Sequence, residues 1–190
     1  MKKVLFFALL TALLLSGCAR EAADPGFDEA WTNVGDLIGV EPLAGFEPSE
    51  NMDALGPAGL YYASFVSGEG EVITRSDEEE ATVYDAEIFL LIEQCKDAGA
   101  AESDVGKWIA LEKTSYGTGE EYEKTLAGQS FRILPLLSAA EDNPYTHGAA
   151  AFAVRGDSAV SVELLCRDGF AGDPEEVLAA FLAGLHYAEQ

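Results

Sequence analysis

A chain of 190 residues with 34 acidic against 11 basic side chains, net −23 at pH 7, repels phosphate backbones and anionic head groups, which argues against nucleic acid as a partner. Its 48% hydrophobic content, with aromatics throughout, sets it apart from disordered acidic tails and predicts a folded domain with a solvated acidic skin.

In chain order, residues 1–17 divide as a secretory leader. Lys2 and Lys3 give a positive start, Val4 to Leu15 form an apolar run broken only by Thr11, and the small residues Ser16 and Gly17 precede Cys18. An apolar run of this length reaches roughly 18 Å as a helix, against a hydrocarbon core of about 30 Å, so the leader is expected to export the chain and not to span the bilayer. The stretch "AREAADPG" then reads as a tether. A single globular domain is expected over residues 27–190.

"FDEAWTNVGDLIGVEP" places Phe27, Ala30, Trp31, Val34, Leu37 and Ile38 at three- and four-residue steps, predicting an amphipathic first helix that ends before Pro42. A Gly- and Pro-rich loop follows. "LYYASFVSGEGEVITR" carries two strand-forming runs around glycines and predicts a hairpin, after which "SDEEE" is an acidic loop. "TVYDAEIFLLIEQC" fits either a buried strand or a helix; its Val, Tyr, Ile and Phe residues favour the strand.

"AAESDVGKWIALEKTSY" predicts a helix burying Ala101, Val105, Trp108 and Ile109. Two more hairpins are expected, one turning near Gly128 and one at Gly156-Asp157. In the second, Val160, Val162 and Leu164 alternate with Ser161 and Glu163, as in a strand with one face to solvent. "DPEEVLAAFLAGLHY" closes the chain as a helix with Asp173 at the N-cap and Pro174 in the first turn. Val177, Phe181, Leu182 and Leu185 pack it on the sheet, and His186 lies near its negative end. Together these elements predict an α+β fold, mainly an antiparallel sheet with helices packed on it, open to an α-β-α sandwich with a C-terminal helix.

Leu15-Ser16-Gly17-Cys18 resembles the lipobox of bacterial lipoproteins at each of its four positions. The resemblance implies a diacylglyceryl thioether on Cys18, cleavage before it, and an exported protein held by lipid at the cell surface or on the periplasmic face. Two acyl chains hold durably where one is marginal. The order of elements resembles that of the PsbP/Mog1-like α-β-α sandwich. The runs "YDAEIFLLIEQC", "EDNPYTHG", "SVELLCRD" and "GDPEEVLAAFL" are similar to uncharacterised surface lipoproteins of Gram-positive anaerobes, which implies an envelope location and no residue roles.

With Cys18 lipidated, Cys95 and Cys166 remain. Exported proteins usually pair such cysteines, and a disulfide is expected here; the alternative is two separate buried thiols. His147 and His186 are not at metal-ligand spacing, so no nitrogen or sulfur metal site is expected. Acidic runs at Asp77–Glu80, at Glu120, Glu121 and Glu123, and at Glu141-Asp142 lack the spacing of a calcium loop and read as solvated surface. No nucleophile elbow or phosphate loop occurs, so no catalytic residue is assigned. Tyr145 and His147, in "EDNPYTHG", form the candidate contact loop. The leading expectation is a non-catalytic binding or accessory domain for an envelope protein or small ligand. The alternative is a cell-surface hydrolase using carboxylates, with calcium as a candidate aid.

Overall fold

The computed structural model describes residues 26–49, 59–74, 80–139 and 143–188. The leader, Cys18 and the tether up to Pro25 lie outside the described residues, as do most of the acidic loop after Thr74 and the Glu141-Asp142 pair.

The strands are β1 (Thr32–Val34), β2 (Ile38–Val40), β3 (Glu47–Pro48), β4 (Leu60–Ser67), β5 (Glu71–Thr74), β6 (Glu80–Val83), β7 (Ala86–Gln94), β8 (Tyr116–Thr118), β9 (Tyr122–Leu126), β10 (Gln129–Ala139), β11 (His147–Arg155), β12 (Ser158–Cys166) and β13 (Leu185–Tyr187). The helices are α1 (Ala98–Ser115), between β7 and β8, and α2 (Pro174–Ala183), between β12 and β13. All strand pairs are antiparallel. The main sheet is eight-stranded, ordered β3-β4-β7-β12-β11-β10-β8 with β9 also on β10. A three-stranded sheet orders β1-β2-β13, and β5 and β6 form a ribbon.

The main sheet is covered on both faces, as expected of an α-β-α sandwich. On one face Ile88, Leu90, Ile92, Val160, Val162 and Leu164 meet Leu178, Phe181 and Leu182 of α2 and Val34, Ile38 and Val40 of the small sheet. On the other, Leu134, Ala150, Phe152 and Ala159 meet Ala101, Val105 and Ile109 of α1. Both helices cross β11 and β12. Alanines at 149, 150, 151 and 153, nearly or wholly buried, let the helices approach those strands closely. Phe152 fills the α1 side, and full burial of such a ring contributes about 1.5–3 kcal/mol. Pro135 sits on β10 where the pairing partner changes from β9 to β8, a seam that needs no proline N–H.

The strand reading of residues 81–95 holds, with a break at Tyr84-Asp85. The two late hairpins turn where expected, Ala127-Gly128 and Gly156 having positive φ. Asp97 caps α1 by accepting from the Ala100 amide at 2.8 Å. Asp173 caps α2 by accepting from Glu175 and Glu176.

Three expectations are corrected. The predicted first helix is instead the β1–β2 hairpin. Gly35 and Asp36 both turn left-handed, with φ of 62° and 56°, and Asn33 bonds the Asp36 backbone and side chain. A helix tolerates no such pair, and β13 gives β2 its second neighbour. The runs in residues 60–75 are strands, but β4 does not pair β5. It takes β7 over the full ladder from Leu60↔Glu93 to Ser67↔Ala86, twice the length that the four-residue β5 offers. Finally, β12 has no open solvent face: it lies centrally between β7 and β11 with helices packed on it, and Ser161 is buried, with Glu163 alone only partly so.

The C-terminal residues also differ. Leu185 packs from β13 and not from α2. His186, on β13, stacks on Trp31 at 3.9 Å and bonds Glu41 through Nε2 at 2.7 Å, so its partners are side chains and not the helix end.

Candidate functional site

On the α1 side of the main sheet, two carboxyls meet where the pattern of apolar residues predicts none. Glu112, in the last turn of α1, lies on the face that buries Ala101, Val105 and Ile109 and is itself 7% exposed. Glu163 rises from the middle of β12, with Phe89 and Ala150 as its cross-strand neighbours.

Their side chains share a hydrogen bond. Burial raises both carboxyls above their ordinary range, and with the adjacent Glu112 charge it takes Glu163 to about 7, against a smaller opposing effect from the Ser161 hydroxyl. Two such groups in low dielectric resist ionising together, so the pair keeps a shared proton up to about neutral pH. Glu112 Oε2 is buried without a hydrogen-bond partner.

Tyrosines border this pair. Burial pushes Tyr62, on β4, up to about 12, and raises Tyr116, on β8; both remain neutral. The Tyr116 hydroxyl accepts from Asn143 Nδ2 at 3.0 Å, while Asn143 Oδ1 accepts from the Tyr145 amide at 3.0 Å. Tyr145 in turn donates its hydroxyl to Glu87 Oε2 at 2.9 Å and accepts from the Tyr84 amide at 3.3 Å. Glu87 is raised chiefly by burial. Asn143 and Tyr145 together thus tie the loop before β11 to Tyr116 on β8 and Glu87 on β7.

The sequence-predicted site residues are not brought together around a ligand. Tyr145, expected as an exposed contact, is 7% exposed and belongs to the core under α1. His147 begins β11, with Nδ1 3.1 Å from Thr146 Oγ1, which donates to Asp168 at 2.7 Å. The expected Cys95–Cys166 bond is absent: both are free thiols. Cys166 pairs with Ala86, whereas Cys95 follows Gln94 at the far end of the same β7–β12 ladder. Nine residue steps along β7 separate them, about 31 Å at ~3.4 Å each, and they pack on opposite faces of the sheet. A disulfide needs Cα atoms within about 7 Å.

Glu121 is an ion-pair centre, 2.7 Å from Lys113 and 2.8 Å from Arg132, and these cations hold its carboxyl below the usual range. Among the described residues no group of three or more His, Cys, Asp or Glu is placed to hold a metal ion, and no helix is long and apolar enough to cross a membrane.

Glu112, Glu163 and Glu87 were missed in the sequence because each stands in a pattern that normally faces water. A signal was present for Glu112: the spacing 101, 105, 109 continues onto 112. For Glu163 the signal is its place as the one charge within the β12 run "SAVSVELLC".

The chain is similar to a cyanobacterial PsbP. The solution structure of PsbP (CyanoP) from Synechocystis sp. PCC 6803 aligns over 91% of this chain and 98% of that one, with a TM-score of 0.48 and 11% identity. At that distance no residue's role transfers. No protein-family model matches the chain, and no curated protein matches it.

Proposed function

We propose that the protein is exported, held at a membrane by lipid on Cys18, and that its folded part is a binding or accessory domain and not a hydrolase. The observation that carries the anchor is Leu15-Ser16-Gly17-Cys18 behind a short apolar run. The binding role is supported by the state of the carboxyls. Glycoside hydrolysis uses two acids about 5–9.5 Å apart with a sugar between them. Glu112 and Glu163 instead lie against each other, with α1 packing Glu112 onto the sheet.

The test is metabolic labelling of cells with an alkyne fatty acid, comparing the full chain with Cys18→Ala. Label and membrane pelleting in the first, and neither in the second, is the expected result. Label retained by Cys18→Ala, or absent from the natural chain, overturns the anchor. Crosslinking in the same cells then distinguishes an envelope-protein partner from a small ligand.

A further inference from the structure

In an acid-rich chain most cations find a carboxylate. Of the three arginines among the described residues, Arg132 bonds Glu102 and Glu121, and Arg167 bonds Glu71. Arg155 differs: its guanidinium lies over the Tyr187 ring, 4.2 Å from the centroid, and no ion pair is formed by it among the described residues.

Arg155 and Tyr187 both wall a cavity of about 40 Å³ where the end of the β11–β12 hairpin meets the small sheet. The remaining walls are mainly Leu37, Ile38, Ile92 and Val160, with Ser158 as a further hydroxyl. The Tyr187 hydroxyl is buried without a hydrogen-bond partner. Burial keeps that phenol protonated, pushing it up to about 12, with the Arg155 charge opposing. It is therefore a donor at neutral pH.

We propose that this cavity is a binding site for a small aliphatic monocarboxylate, acetate to propionate in size, with the anionic head on Arg155 and the Tyr187 hydroxyl and the alkyl end against Leu37, Ile38, Ile92 and Val160. The chemistry selects that class. A guanidinium offers two parallel donors to a carboxylate, and an unpaired buried hydroxyl costs free energy that an anionic oxygen removes. The apolar walls discriminate against fully solvated inorganic anions. Size restricts it further: the cavity has room for about three waters at roughly 10–15 Å³ each, too little for a sugar or nucleotide. So few contacting atoms, in a strongly negative protein, set the dissociation constant on the order of 1 mM. The proposal gives the small-ligand branch of the binding role a chemical class and rests on it, while the lipid-labelling and titration experiments fail separately.

The experiment is a titration of the full-length chain in detergent with sodium propionate, sodium acetate and propylamine hydrochloride, each against sodium chloride at equal ionic strength. The readout is melting temperature, which a ligand of the native state raises by mass action. Propionate is expected to give a saturable rise with a millimolar midpoint and acetate a weaker one, with none from propylamine or chloride. Arg155→Gln weakens the propionate midpoint at least tenfold. Tyr187→Phe weakens it severalfold without lowering the ligand-free melting temperature, because the lost hydroxyl had no partner; this variant guards against a fold defect in Arg155→Gln. Absence of a saturable propionate effect up to about 100 mM, or an unchanged midpoint in both variants, overturns the proposal.

Discussion

Replacing Glu163 by Gln tests whether the buried carboxyl pair holds one proton. A group titrating near 7 in the native state and at the ordinary 4.5 when unfolded binds more protons folded than unfolded between those values. Stability therefore falls as pH rises through that window. At 1.36 kcal/mol per pH unit the full loss is about 3 kcal/mol, an upper bound because Glu163 retains some solvent contact. Against a domain stability of roughly 5–15 kcal/mol this is readily measured.

Gln keeps the shape and donates permanently to Glu112, so the variant is expected to lack this contribution. Urea unfolding of both proteins at pH 5, 6, 7 and 8 gives the difference curve. The variant should gain steadily on the natural chain from pH 5 upward, reaching up to about 3 kcal/mol by pH 8. Repulsion across the acidic surface and the raised Glu87 act in both proteins and largely cancel in the difference. A flat difference, or a variant that loses ground as pH rises, would refute the shared proton.

Tyr145→Phe leaves Glu87 without the tyrosine donor and the Tyr84 amide without that acceptor, and should cost about 1–3 kcal/mol in urea unfolding. Gly148→Ala drives a methyl into the Leu164 carbonyl oxygen across the β11–β12 ladder, closer than side-chain carbons approach backbone. Loss of soluble folded protein is expected, judged by circular dichroism; a native spectrum and melting curve would contradict the register. Thiol titration of denatured protein without reductant should find Cys95 and Cys166 both free. In native protein Cys166 should resist alkylation, because it is wholly buried and burial pushes its thiol up to about 12. A Cys95–Cys166 crosslinked peptide would contradict the β7–β12 register.

What the sequence determined by itself was local or nearly so. The cap at Asp173, the hairpin turns at Gly128 and Gly156, and the strand character of residues 86–94 depend on side chains and φ preferences within a few positions. So does the lipobox-like stretch, which fixes an expectation about place and none about partners. Tertiary structure decided which strands became neighbours: β4 took β7 because a full ladder was available there, and β13 completed a sheet with β2 that turned an apparent helix into a hairpin. It also decided which carboxyls were buried. Glu163 alternates correctly for a solvent face, yet α1 and the flanking strands close over it, and Glu112 arrives on that helix. Periodicity reports which residues share a face, while what covers the face depends on contacts between distant parts of the chain. Arg155 over Tyr187 is decided in the same way, by a meeting of β11 with β13 that no local pattern encodes.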